Sequence, residues 1–158
     1  LKWAMTLTRN KPQALKKVLA MAETAYYEHW SEYPTHLWDW PNFTPEELAS
    51  RTVVNGTRGP KGPLLLNFDA LDKLQELRWT IRKPFHVNSA YRSPEYNSFV
   101  GGASRSKHME GIAFDISMHN HNRTEFVRLA QEFGFNGIGY YNTFMHIDTR
   151  QNPTEWWG

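Results

Sequence analysis

The chain has 158 residues, the size of one ordinary domain, and its 40% hydrophobic and 22% charged content reads as one soluble globular fold with a single core. It has no cysteine, which excludes thiol nucleophiles, thiolate zinc sites and disulfides, so any metal must be held by histidine and carboxylate. A formal charge of +2 with scattered Lys and Arg argues against nucleic acid as a partner, while an anionic polymer such as a cell wall is compatible.

Residues Pro12 to Trp30 place Leu15, Val18, Leu19, Ala22, Ala25 and Tyr26 at helical spacing, which predicts an amphipathic helix. Two prolines and an aromatic cluster over Ser31 to Pro41 break that pattern. The expected organisation is therefore an N-terminal helical, aromatic-rich extension over 1–40 and a main domain over 41–158. The aromatic residues of Tyr26 to Trp40, and Trp156-Trp157, read as core and packing anchors ahead of a ligand platform. Thr44-Pro45-Glu46-Glu47 is a helix start with a cap, a first-turn proline and a capping-box glutamate. Arg51 to Pro63, rich in Gly and Pro, reads as a loop. The run Pro63-Leu64-Leu65-Leu66 is far shorter than the roughly 20 residues of a membrane span. Asn67 caps a helix whose stripe is Phe68, Leu71, Leu74, Leu77 and Ile81.

Phe85 to Ala90 is a strand candidate, and Ser93-Pro94-Glu95 opens a short helix that Gly101-Gly102 ends. Ile112 to Ser117 alternates as a strand, and Asn122 to Phe133 is a helix stopped by Gly134. Gly137 to Tyr141 and Phe144 to Thr149 form a strand pair around Tyr141-Asn142-Thr143. The pattern is α+β: a small, mostly antiparallel sheet with segregated helices.

Strand alternation puts Ala113, Asp115 and Ser117 on one face and Ile112, Phe114 and Ile116 on the other. In the later strand Phe144, His146 and Asp148 share a face opposite Met145 and Ile147. If these strands pair, Asp115 and His146 converge, and His108 reaches the same point across a turn at Gly111. Two imidazoles and one carboxylate leave a zinc ion an open position, the arrangement of a catalytic site. Ordinary hydrogen bonding is the alternative for a His and an Asp on strands. His119 and His121 are metal ligands by composition only and read as a solvated loop, and His29, His36 and His86 show no partner pattern.

The string Ser106-x-His108-x-x-Gly111-x-Ala113-x-Asp115, with His146-x-Asp148 downstream, resembles the zinc-ligand signature of the peptidoglycan DD-carboxypeptidase and endopeptidase family, peptidase M15-like, of the Hedgehog/DD-peptidase fold. Ser89-Ala90-Tyr91-Arg92-Ser93-Pro94-Glu95-Tyr96-Asn97 and Val100-Gly101-Gly102-Ala103 are similar to the segment that precedes it in the phage-lysin and wall-hydrolase branch. The likeness runs from about Phe43 to Trp157, and residues 1–40 carry none.

The resemblance implies a Zn²⁺ cofactor on His108, Asp115 and His146. It also implies hydrolysis of stem-peptide or cross-link bonds in peptidoglycan by zinc-activated water, with Arg92 polarising the carbonyl. A fixed guanidinium suits that role; a surface ion pair is the alternative for Arg92. Asp148 is placed to orient a ligand imidazole, and Ser106 to hydrogen-bond within the ligand loop. Many relatives carry a Glu three residues before the last ligand, or a His five before; here these positions are Thr143 and Tyr141. Tyr141, ahead of Tyr140 and Glu110, is therefore the candidate for proton transfer. The competing reading is a module of the same fold that hydrolyses nothing, for example a phage virion component docked to a larger assembly through residues 1–40. The bacterial cell wall is the expected place of action, and no signal peptide is read at the N-terminus.

Overall fold

The computed structural model describes residues 23–158. Side-chain caps set its helix starts. Thr44 accepts the Glu47 N–H at 3.2 Å ahead of α1 (Pro45–Leu48), and Asn67 accepts the Ala70 N–H at 3.0 Å ahead of α2 (Phe68–Ile81). Ser93 accepts from Tyr96 at 3.1 Å before α3 (Pro94–Phe99), and Asn122 accepts from Glu125 at 2.9 Å before α4 (Arg123–Glu132). Each cap satisfies an N–H that the first turn leaves without a backbone partner.

The main sheet has five strands in the order β5-β6-β8-β7-β9. These are β5 (Val87–Ser89), β6 (Ala113–Ser117), β7 (Gly137–Tyr140), β8 (Phe144–Asp148) and β9 (Thr154–Trp157). All pairings are antiparallel except β7 with β9. Phe114, Ile116, Ile138, Met145 and Ile147 leave one face of this sheet and are at most 2% exposed. They share a core with Leu71, Leu74 and Leu77 of α2 and Phe126 and Ala130 of α4. Burial of each large apolar side chain contributes about 1.5–3 kcal/mol. The opposite face, with Asp115 and His146, is left for chemistry. The class is α+β, with the helices segregated from the small sheet.

Three local expectations are corrected. Of the helix expected over Pro12 to Trp30, residues 12–22 lie outside the described residues, and the described part forms a strand instead, β1 (Thr24–Tyr27), which pairs antiparallel with β4 (Leu64–Asn67) and is followed by a 3-10 turn from Trp30. Thr24, Tyr26 and Tyr27 favour extended backbone, and a partner strand 37 to 43 residues away overrides the local helical spacing. The loop expected over Arg51 to Pro63 is a hairpin of β2 (Arg51–Val54) and β3 (Thr57–Lys61). Asn55 and Gly56, at φ 50° and 71°, form the tight turn that an Asn-Gly pair favours between strands. Finally, Trp156-Trp157, expected as core and packing anchors ahead of a ligand platform, belong to strand β9, and Trp157 is 73% exposed rather than in the core. No helix among the described residues is long and apolar enough to cross a membrane.

Tyr33 and Trp40 join the same core as α2 and are 5% and 1% exposed. The Trp40 ring stacks on Phe68 at 5.5 Å, and its indole N–H donates to Asp72 Oδ1 at 3.0 Å. Burial, with nearby Asp69, Glu76 and Glu23, pushes Asp72 up from 3.8 to about 6 against the Trp40 hydrogen bond. The folded state therefore holds this proton more tightly than the unfolded chain. Stability falls as pH rises from about 3.8 through about 6, and the penalty is complete above that window. Asp72→Asn keeps an acceptor for Trp40 and removes the charge. The variant is expected to exceed wild type by about 1 kcal/mol at pH 8 after solvent screening, and the gain should vanish near pH 4. Denaturant melts at both pH values check this; a gain that does not depend on pH would rule out the charge as its source.

Candidate metal centre

β6 and β8 pair in a register that sets Asp115 directly opposite His146. His108 enters from a 3-10 turn, Lys107–Glu110, that Ser106 starts by accepting the His108 N–H at 3.3 Å. Gly111 ends the turn at φ 72°, a left-handed conformation that lets the chain reverse into β6. A Cβ there would also lie 3.0 Å from the Leu65 carbonyl.

The three side chains are buried and offer ligand atoms within 4.8 Å of one another. His108 Nδ1 meets the Ala90 carbonyl at 2.6 Å, so that nitrogen carries the proton and Nε2 presents a lone pair. Nε2 is buried without a hydrogen-bond partner and lies 3.1 Å from Asp115 Oδ1. On the other side, His146 Nδ1 is 2.9 Å from Asp115 Oδ1, and its Nε2 is 2.7 Å from Asp148 Oδ2. Asp148 is fully buried and accepts two hydrogen bonds from the Arg150 guanidinium, at 2.8 and 2.7 Å. An ionised Asp148 takes the His146 Nε2–H, which turns the Nδ1 lone pair toward Asp115.

Two nitrogen lone pairs and a carboxylate oxygen thus converge in a buried space, and a cation is what that donor set fits. Without an ion, a proton is the substitute. Burial would lower the His146 pKa, but hydrogen bonds and charge from Asp115 and Asp148 outweigh it and hold the pKa raised. Burial likewise pushes Asp115 up, yet its contacts with His108 and His146 bring it well below the usual carboxylate range. Asp148 is held low against its burial, by Arg150 and then by His146. Metal binding here should displace protons.

The centre opens into a cleft of ≈ 620 Å³ that Arg92, Tyr141 and Trp156 also line. Arg92 is half-buried, and its guanidinium donates to Ser89 Oγ at 2.9 Å, Asp115 Oδ2 at 3.2 Å and Asn97 Oδ1 at 3.4 Å. The arginine therefore holds the non-ligating side of Asp115. Among the residues considered for proton transfer, Tyr141 lines the cleft; Tyr140 donates to Glu155 and stacks on Trp157, and exposed Glu110 pairs with Lys107 at 2.6 Å. Thr143 is exposed in the turn before β8. His119 is exposed and His121 Nε2 contacts the Pro84 carbonyl at 3.0 Å; neither joins a metal-binding group among the described residues.

The family model described as Peptidase M15 matches residues 41–148. The chain belongs to the peptidase M15 family. Its α+β fold is that of the family, and the M15 match ends at Asp148, before Arg150 and Trp156. A similar protein is the zinc D-Ala-D-Ala carboxypeptidase of Streptomyces albus G, 38% identical over 81 residues, which are 48% of this chain and 32% of that protein. The chain thus spans about a third of that M15 relative's length.

Four residues around this M15 centre are not read as part of it from the sequence: Ser89, Asn97, Arg150 and Trp156. Ser89 and Asn97 lie inside the quoted motif, and their short polar side chains were the available signal. Arg150 is two residues beyond Asp148, the spacing of same-face strand neighbours. Trp156 had no local signal beyond being aromatic.

Proposed function

We propose that the chain is a zinc metallopeptidase that hydrolyses peptide bonds in bacterial peptidoglycan. The observation that carries this is the buried, unpartnered His108 Nε2, aimed with His146 and Asp115 at one point on the cleft floor. When bound, a zinc ion supplies Lewis acidity to a carbonyl and to water. The protein's own groups do the rest. Ala90 and Asp148 keep the two imidazoles in the tautomers that face the ion. Arg92 has five N–H donors, of which three are committed to Ser89, Asn97 and Asp115. The remaining donors serve a substrate carboxylate or a developing oxyanion in the cleft, and the carboxylate of a D-Ala-D-Ala end, named for the relative, suits that fork. The Tyr141 hydroxyl accepts the Trp156 indole N–H at 3.1 Å, so its own proton is available to a group in the cleft.

The test is release of new amino groups from purified sacculi by zinc-loaded protein, with Arg92→Lys alongside. Wild type is expected to release fragments, and Arg92→Lys to keep its zinc while losing about 10²-fold or more in rate, because lysine lacks the planar fork. Equal rates would remove Arg92 from the reaction. Stoichiometric zinc with no fragments, across sacculi of differing stem peptides, would favour the non-hydrolysing module that Thr143 in place of a glutamate suggests.

A further inference from the structure

β9 lies beyond the span matched by the family, yet its Trp156 packs beside the metal centre and lines the cleft. Its parallel register sets Trp156 beside Gly139, which in turn faces His146 across β7 and β8. A Cβ on Gly139 would come to 2.7 Å from the Trp156 ring, so the indole occupies space that only glycine leaves open. From there the ring lies 5.0 Å from the His146 ring, and the Arg150 guanidinium covers it at 4.9 Å. The indole N–H donates to Tyr141 Oη at 3.1 Å. The Tyr141 ring is stacked on Phe144 at 4.5 Å with an interplanar angle of 6°. Gly158 closes against its other edge, held by a 2.9 Å hydrogen bond from its N–H to the Tyr140 carbonyl.

We infer that Trp156 is a positioning residue: it pins the Tyr141 hydroxyl, oriented to give its proton to the ligand in the cleft, and walls the far side of His146. The inference rests on the peptidase reading. A tyrosine hydroxyl free to rotate would spend its proton on solvent, whereas one that accepts from a fixed indole has its donor direction limited to what remains. Ring stacking restrains the phenol in its plane, and the indole restrains its oxygen. The group that stands where relatives carry a histidine thus gains its aim from a strand outside the matched span.

Two measurements on the full chain test this. In the first, the Trp156 indole N–H is followed by ¹⁵N-edited NMR in wild type and in Tyr141→Phe, where its signal is expected to move and to exchange faster with water. This readout needs no turnover. An unchanged signal overturns the pin. In the second, zinc-loaded Trp156→Phe, Tyr141→Phe and the double variant are assayed on peptidoglycan fragments. Tyr141→Phe should lower kcat by about 10²- to 10⁴-fold, the range for a lost acid or base. Trp156→Phe should lose about 10- to 100-fold in kcat with KM little changed, as supporting partners do, and zinc content should stay at wild-type level. The double variant should be no slower than Tyr141→Phe, because one acts through the other. Losses that multiply, or a Trp156→Phe with wild-type kcat, overturn the inference. A wild type without turnover sinks the peptidase reading instead, and the NMR result then stands or falls by itself.

Discussion

His146→Ala is expected to abolish zinc binding at stoichiometric metal and, with it, peptide hydrolysis. The variant removes one of three inward-facing donors and leaves Asp148 buried without its imidazole. Losing an outer partner of a ligand already costs about 10- to 100-fold in metal affinity, so losing the ligand itself must cost more. His108→Ala and Asp115→Ala should behave alike, and Asp115→Ala also frees the Arg92 guanidinium from its carboxylate. Elemental analysis of the purified variants, with circular dichroism to show that each is folded, checks the expectation. Full zinc in His146→Ala would place the metal elsewhere. Chelation of the wild type should remove activity before it removes the fold, since the apolar core lies on the other face of the sheet.

Asp148→Ala should produce the largest loss of stability, about 3–5 kcal/mol, because it strips one partner from a buried ionic network. Asp148 is 0% exposed and joins the His146 imidazole to the Arg150 guanidinium. Truncation leaves an imidazole N–H and an arginine fork without their acceptor. Gly137 shows how tightly the carboxylate is seated, since a Cβ there would collide with the Asp148 side chain. The same change should weaken zinc by about 10- to 100-fold through the lost orientation of His146. Asp148→Asn, which keeps the shape and one acceptor oxygen, should recover part of the stability and less of the metal affinity. Denaturant unfolding and competition with a zinc chelator measure the two effects separately. A normal zinc affinity in Asp148→Ala would show that His146 needs no support.

Much of the site could be read from residues close in sequence. Alternation within Ala113 to Ser117 sets Asp115 opposite Phe114 and Ile116, and alternation within Phe144 to Asp148 puts His146 and Asp148 on one face, because successive side chains of a strand point to opposite sides; that the two strands pair so that Asp115 meets His146 is tertiary. Capping chemistry at Thr44, Asn67 and Asn122 is equally local, since each side chain bonds an N–H three residues on. The α+β class follows from the same periodicities. The helical reading fails over Thr24–Tyr27 for the opposite reason: β1 is held by β4, and no window around Thr24 contains that partner. The hairpin over Arg51 to Lys61 was legible in Asn55-Gly56, but the surrounding Gly and Pro suggested a loop.

By itself, then, the sequence determined the candidate donors His108, Asp115 and His146, which neighbours share a face within each strand, and the absence of cysteine chemistry. Only the tertiary structure decided which nitrogen of each histidine faces the ion, because Ala90 and Asp148 select the tautomers across 18 and 2 residues through the folded geometry of strand and turn. It also decided that Arg92 grips Asp115, and that Trp156 reaches Tyr141 over the gap left by Gly139. The physical reason is range. Face and cap are set by covalent geometry within a few residues, whereas a hydrogen-bond partner or a ring contact depends on which distant strands share a sheet and in what register.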